Sequence, residues 1–144
     1  EITESVAVVA VDRTIDCLHE LAAKGLRISI DDFGTGYASL NNLKRLPFQR
    51  LKIDQTFVKD IANDPDDRAI VGAVTAMAHQ MKISVIAEGV ETAEQLSCLT
   101  ETRCDEAQGY FFNRAMPAGE FTDLMVERKH RSETDIPKFT AFYS

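Results

Sequence analysis

The sequence predicts an α/β fold built on parallel strands. Short apolar runs, too brief to be helices, alternate along the chain with longer segments in which apolar residues recur at helical spacing. A strand-helix-strand order of this kind implies parallel strands joined by right-handed helical crossovers. The length of 144 residues and the hydrophobic content of 44% suit one globular domain, or part of one.

The first long element is a predicted helix from Asp12 to Lys24. Its apolar residues, among them Ile15 and Leu18, fall on one helical face, and Gly25 follows as a C-terminal stop. Three short isoleucine- or valine-containing runs then read as strands buried on both faces. These runs are "RISID" at 27–31, "LKID" at 51–54 and "SVIAEG" at 84–89.

Two further helices are predicted around the third of these strands. Apolar residues recur at helical spacing over 70–81, before the strand, and again over 93–99, after it. The run "NDPDD" at 63–67 lacks the length and the terminal glutamate of a calcium-binding loop, so it favours a helix-capping turn before Arg68.

The pattern changes near the end of the chain. After about Val126 the helical spacing gives way to the charged run "ERKHRSETD". We therefore expect a domain over residues 1–126 and a C-terminal tail over residues 127–144.

The charge balance argues against a nucleic-acid polymer as a partner. The formal net charge is −7, and the 16 Lys and Arg residues are scattered among acidic ones. The odd set Cys17, Cys98 and Cys104 has no metal-ligand spacing, so we expect packing residues in a reducing cytoplasm. No apolar run approaches the roughly 20 residues of a membrane span. We expect no membrane contact by this segment, although a parent protein could be anchored elsewhere.

Polar side chains follow the apolar runs at the points where the strands end. In a parallel α/β barrel these ends meet on one face, and that face carries the active site. A single Asp-Asp pair before glycine is more often a turn with solvated charges, but several such strand ends together favour a shared site. The candidates are Asp31, Asp32, Lys52, Asp54, Glu88, Glu91 and Gln108.

The adjacent carboxylates of Asp31 and Asp32 point to a divalent cation. Two such charges at the end of a buried strand are costly unless something positive lies between them. Oxygen ligands without histidine or thiolate favour Mg²⁺, Mn²⁺ or Ca²⁺ over zinc. Successive side chains on a strand point to opposite faces, so the pair can converge only where the strand turns into its loop. Gly34 and Gly36 allow that turn.

Four motifs follow one another along the chain: "EITES", "DDFGTGYASLNNLKRLPFQRLKID", "AEGVET" and "EAQGYFF". In this order they closely resemble the EAL-domain family of bacterial cyclic di-GMP phosphodiesterases. The resemblance runs from Glu1 to about Met125 and implies a parallel (β/α)8 TIM-like barrel, of which this chain covers about strands 4 to 8. It also implies that a metal-activated water cleaves cyclic di-GMP to the linear dinucleotide pGpG.

The resemblance further implies a site with two Mg²⁺ or Mn²⁺ ions. By similarity, Glu1 and Asp31 are ligands of the first ion, and Asp31 bridges to a second ion that Asp32 also holds. Lys52 contacts the water or the phosphate, and Glu88 binds the second ion or acts as a base. The remaining roles are substrate binding for Glu91 and Gln108, and ordering of the loop with Gly34 and Gly36 for Glu4.

Two functions stay open on this reading. The Glu-Ala-Leu glutamate of the family, on the second strand, and an asparagine ligand on the third strand are absent from this sequence. We therefore expect part of a longer protein that is inactive in isolation and forms a homodimer or otherwise self-associates. The alternative function is that of a degenerate EAL domain, which binds cyclic di-GMP or a protein partner without hydrolysis.

Overall fold

The fold is one five-stranded parallel sheet whose strands lie side by side in their order along the chain. The computed structural model describes residues 1–8, 12–36 and 40–130. The strands are β1 (Ile2–Thr3), β2 (Ser29–Phe33), β3 (Arg50–Ile53), β4 (Ser84–Ala87) and β5 (Glu106–Ala107). Strands that follow chain order and are all parallel are the arrangement of a (β/α)8 barrel, so the predicted fold class is confirmed as far as these five strands extend.

Helices connect each strand to the next. They are α1 (Glu4–Val8), α2 (Asp12–Ala23), α3 (Leu40–Leu43), α4 (Gln55–Lys59), α5 (Pro65–Gln80), α6 (Ala93–Glu101) and α7 (Ala118–His130). The predicted helix over 12–24 is confirmed almost to the residue. The helix predicted over 70–81 begins earlier, at Pro65, because the acidic run before it caps the helix.

Local capping explains where α5 and α6 begin. The side chain of Asp64 accepts a hydrogen bond from the Asp66 amide at 2.8 Å, and Pro65 occupies the first turn, where its missing N–H costs nothing. The predicted capping turn is therefore confirmed. At α6, Thr92 and Gln95 form a reciprocal capping box. Gln95 is buried and also donates to the Lys59 carbonyl at 2.9 Å, which ties α6 to the end of α4.

The core lies between the sheet and the helices. On β3 and β4, Leu51, Ile53, Val85 and Ala87 are at most 1% exposed, and Lys52 and Ile86 on the alternate face are 6% and 4% exposed, which confirms that these two strands are buried on both faces. On β2, Ile30 is fully buried but Ser29 and Asp31 are half-buried, so the prediction holds there for one face only. Helix residues pack on them from outside, among them Leu18, Val58, Val71, Ala78 and Leu99. The sheet is thereby held as a rigid base for the loops at the carboxyl ends of its strands.

Three smaller expectations have mixed outcomes. Cys98 and Cys104 are buried and pack in the core, but Cys17 is exposed on α2, so the packing role is wrong for that residue. Helix α7 runs past the predicted boundary after Val126, and residues 131–144 of the expected tail lie outside the described residues. Within the described ranges, no helix is long and apolar enough to cross a bilayer.

Candidate active site

The centre of the site is the ammonium group of Lys52. This side chain lies on β3, is 7% exposed and donates to Glu88 Oε1 at 2.7 Å and to Asp31 Oδ1 at 2.9 Å. Glu1 Oε1 lies 3.3 Å from the same nitrogen. A buried cation thus neutralises carboxylates that come from three other places in the chain.

The parallel strands bring these groups to one edge of the sheet. Lys52 pairs in register with Ile86 of β4, and the ladder continues past the strand ends, since the Glu88 amide donates to the Ile53 carbonyl at 3.1 Å. On the other side, the Gln108 amide donates to the Ala87 carbonyl at 2.9 Å. The backbone register of these strands therefore determines where each polar side chain lies at the edge of the sheet.

An irregularity in β2 lets two adjacent aspartates serve the same site. Ile30 pairs with Leu51 and Phe33 pairs with Ile53, so three residue steps on β2 face two on β3. This extra residue is a bulge, and Asp32 takes up a left-handed conformation with φ 54°. The predicted turn into the loop is thus a bulge inside the strand, and β2 extends to Phe33 rather than ending at Asp31.

The bulge places three carboxylates within reach of one cation. One oxygen from each of Asp31, Asp32 and Glu88 lies within 4.8 Å of the others. The donor set consists of carboxylate oxygens alone, and it is partly open to solvent. Such a set fits Mg²⁺, Mn²⁺ or Ca²⁺ and does not fit a zinc site, which prefers nitrogen and sulfur.

Two opposing effects act on the pKa values in this cluster: burial disfavours charged groups, and pairing of opposite charges favours them. Burial alone would lower the pKa of Lys52, but its hydrogen bonds to Glu88 and Asp31, and their charges, raise the pKa well above its ordinary value. Burial raises the pKa of Glu88, and the nearby Lys52 ammonium offsets part of that rise. Lys52 is therefore charged at every physiological pH, and Glu88 holds its negative charge at a cost that a cation relieves.

Glu4 orders the loop after β2. Its side chain is 2% exposed, and its Oε2 atom accepts hydrogen bonds from the Gly34 amide at 2.7 Å and from the Gly36 amide at 3.2 Å. Gly34 has φ 102°, and a Cβ there would lie 2.5 Å from the Phe57 ring. These two hydrogen bonds attach the start of the loop to the buried Glu4 carboxylate. The same motif continues into residues 37–39, which lie outside the described residues.

Two loops at the carboxyl ends of β4 and β5 are joined backbone to backbone. The Val90 amide donates to the Gln108 carbonyl at 3.0 Å, and the Phe111 amide donates to the Val90 carbonyl at 2.9 Å. Gly109 sits so close to this strip that an added Cβ would lie 2.2 Å from the Val90 oxygen. We call this strip, residues 88–91 with residues 108–111, the loop clamp. It places the side-chain carboxamide of Gln108 next to Glu88, and Gln108 Nε2 donates a hydrogen bond to Glu88 Oε1 at 2.7 Å.

A cavity of about 710 Å³ opens next to the cluster. It shares Asp32, Glu88 and Gln108 with the site and also contains the predicted substrate residue Glu91. Its other walls come from the start of α4 with its N-cap residue and from the segment that runs from β5 into α7. They include Asp54, Gln55, Tyr110, Phe112, Arg114, Met116 and Phe121.

The structure thus gathers most of the predicted site residues and adds others. Glu1 reaches Lys52 but does not belong to the group of three carboxylates found within the described residues. Gln55, Tyr110 and Arg114 were missed, because neither composition nor spacing distinguishes them from surface residues. Their position just after a strand end is the one signal that could have found them.

A search against family models matches the EAL domain over residues 1–115. The chain belongs to the EAL-domain family. Among curated EAL relatives, the bifunctional diguanylate cyclase/cyclic di-GMP phosphodiesterase MucR of Pseudomonas aeruginosa is 48% identical over 118 residues, which are 82% of this chain and 17% of that protein. The chain spans only 16 or 17% of the length of the first curated relatives that it matches.

Solved EAL structures share the fold described above. The PaMucR phosphodiesterase in complex with c-di-GMP has a TM-score of 0.78 and 47% identity, over 83% of this chain and 49% of that one. The BlrP1 protein of Klebsiella pneumoniae, solved as a manganese and cyclic di-GMP complex, has a TM-score of 0.73 and 35% identity, over 78% of this chain and 29% of that one. These likenesses establish the EAL barrel as the architecture to which the five strands belong.

The loop clamp yields a stability prediction. Gly109→Ala is expected to lower the free energy of unfolding by roughly 2 kcal/mol, because the new Cβ collides with backbone that cannot yield without breaking the clamp. Chemical denaturation of the whole protein measures this change. Gly119→Ala is the matched control, since a Cβ at that helical position meets nothing within 4 Å and is expected to be neutral or slightly stabilising. Equal effects of the two substitutions would contradict the close packing at Gly109.

Proposed function

We propose that the whole protein hydrolyses cyclic di-GMP to linear pGpG and that this chain supplies most of the carboxylates of its metal site. The observation that carries the proposal is the cluster around Lys52, in which a buried ammonium, three carboxylates and a carboxamide share one edge of the sheet. The phosphodiesterase name of MucR and the cyclic di-GMP in two related structures support the choice of substrate.

The residues proposed to hold the metals are those that the resemblance to the family implies, and the group of Asp31, Asp32 and Glu88 supports the second of the two sites. Glu1 and Asp31 would bind a first Mg²⁺ or Mn²⁺, and Asp31, Asp32 and Glu88 would bind a second. Two such ions, when bound, supply an activated water and neutralise the charge that develops on a phosphoryl oxygen. The manganese in the related BlrP1 complex supports a divalent metal of this kind.

Lys52 contributes a fixed positive charge beside the phosphate. Its ammonium is held by Glu88 and Asp31, so it needs no reorganisation when charge builds up on the reacting group. A lysine on a buried strand can move only at the end of its side chain. It is therefore suited to contact the attacking water or the phosphate, whichever lies nearer.

Glu88 and Gln108 act as one unit. The Gln108 carboxamide donates to the same Glu88 oxygen that accepts from Lys52, which leaves the other carboxylate oxygen for a metal or for the proton of a water. Glu91 lies further out on the cavity wall, where it can bind substrate. The alternative function, a degenerate module that only binds cyclic di-GMP, would use the same cavity without this proton transfer.

Asp31→Asn is expected to reduce turnover of cyclic di-GMP by several orders of magnitude. A bridging ligand that loses its charge leaves two cations repelling each other across a weakened site. Steady-state rates of the whole protein, with Mn²⁺ added and with a chelator, provide the measurement. Asp16→Asn, at an exposed position on α2, is the control and should not change the rate.

Two results would count against this assignment. A turnover of Asp31→Asn within tenfold of wild type would exclude the bridging role. A wild-type protein that binds cyclic di-GMP but does not cleave it in the presence of Mg²⁺ or Mn²⁺ would favour the degenerate binding module.

Lys52→Met is expected to separate metal binding from chemistry. The ammonium shares oxygens with the metals but is not itself a ligand, so Mn²⁺ affinity should be nearly unchanged while kcat falls. Calorimetric titration with Mn²⁺ measures the metal affinity, and steady-state rates measure kcat. Lys24→Met, at an exposed position, is the charge-matched control. A lost metal isotherm would instead mean that Lys52 holds the carboxylates in position.

We further propose that the isolated 144-residue chain is inactive and self-associates. In the described sheet, β1 and β5 each have one neighbour, and unpaired strand edges recruit other chains. No copy of this sequence can contribute the Glu-Ala-Leu glutamate or the strand-3 asparagine of the family. Light scattering combined with a hydrolysis assay on the purified chain is the test, and a stable, active monomer would overturn the proposal.

A further inference from the structure

The charges along the cavity wall are poorly matched to an anionic substrate. The lining residues that the structure describes include four carboxylates, those of Asp32, Asp54, Glu88 and Glu91, but only one guanidinium, that of Arg114. A phosphodiester that enters such a cavity is repelled except where a cation faces it. Metal ions would provide that cation at Asp32 and Glu88. Elsewhere on the described wall only Arg114 provides it.

Arg114 stacks on the ring of Tyr110, and both side chains are exposed. Its Cζ atom lies 4.4 Å from the centroid of the Tyr110 ring, which is within the range of a cation–π contact. No ion pair to Arg114 occurs in the part of the chain that the structure describes. Stacking occupies one face of the guanidinium plane and leaves its edge donors available for an anion, which a planar fork binds through two parallel hydrogen bonds.

Arg114 comes from a different part of the fold than the candidate metal ligands. It belongs to the segment after β5, whereas the candidate ligands come from β2 and from the end of β4. Apolar groups of the same segment, including Phe112, Met116 and Phe121, line the cavity beside it. A volume of about 710 Å³ is in the range of sites that enclose a whole small ligand.

These observations match the chemistry of a cyclic dinucleotide. Such a ligand carries two phosphodiesters in one ring, so that when one lies at the metal cluster the other must lie elsewhere in the cavity. We propose that Arg114, stacked on Tyr110, forms a second anion subsite that binds the phosphodiester that is not cleaved. The inference rests on the proposed function and adds to it a residue that selects dinucleotides over small phosphodiesters.

The subsite predicts a difference between two substrates. Arg114→Gln in the whole protein should raise KM for cyclic di-GMP at least tenfold and change kcat less than threefold. For bis(p-nitrophenyl) phosphate, which has one phosphodiester and therefore has no second phosphodiester for Arg114 when it lies at the metal cluster, kcat/KM should change less than threefold. Arg114→Lys should recover part of the loss, because it restores the charge but not the planar fork.

Binding provides a readout that does not depend on turnover. With Ca²⁺ in place of Mn²⁺, calorimetry should show cyclic di-GMP binding at least tenfold more weakly to Arg114→Gln than to wild type. Arg27→Gln removes the same charge from an exposed position before β2, at the opposite end of the strands, and should leave affinity and KM unchanged.

The outcomes separate this inference from the proposed function. Equal losses for both substrates, or an unchanged KM and affinity for cyclic di-GMP, would overturn the subsite while the hydrolase activity stands. In another outcome, the wild-type protein binds cyclic di-GMP without cleaving it while Arg114→Gln binds it more weakly. That result would support the subsite and contradict the hydrolase. A wild-type protein that binds no cyclic di-GMP would overturn both.

Discussion

The convergence of several carboxylates at one edge of the sheet is the constraint on which the rest of the site depends. Without a compensating charge these groups would repel one another and resist burial. The Lys52 ammonium, at 2.7 Å from Glu88 and 2.9 Å from Asp31, offsets part of that penalty. Divalent cations, when bound, would offset the rest. Gln108 and Glu1 make further polar contacts within this cluster.

The backbone supplies what side-chain charge alone could not. A regular β2 would direct Asp31 and Asp32 to opposite faces of the sheet, whereas the bulge opposite β3 and the left-handed φ of Asp32 turn both toward the cluster. Glu4 then holds the following loop by two glycine amides. The positions of the carboxylates thus depend on a local irregularity in β2.

Much of this could be predicted from the sequence, for physical reasons that differ between elements. The alternation of buried runs and helical patterns predicted the parallel sheet, since strands covered on both faces leave a clear apolar signal. The strand-end rule predicted Asp31, Asp32, Lys52, Glu88 and Gln108 as neighbours, because parallel strands align their carboxyl ends. The bulge was not predictable, since it depends on the register of β2 against β3. Tyr110 and Arg114 were also missed, because stacking between side chains four residues apart leaves no periodic trace.

The loop clamp couples the cavity wall to the metal cluster. Because Gly109 lies against Val90 and two backbone hydrogen bonds join the two loops, residues 88–91 and 108–111 behave mechanically as one body. The next residues belong to the same body, since the Phe112 and Asn113 amides donate to the Gly109 carbonyl at 3.1 and 3.4 Å. A displacement of the wall that carries Tyr110 is therefore transmitted to Glu88, so the shape of the cavity and the position of this carboxylate are set together.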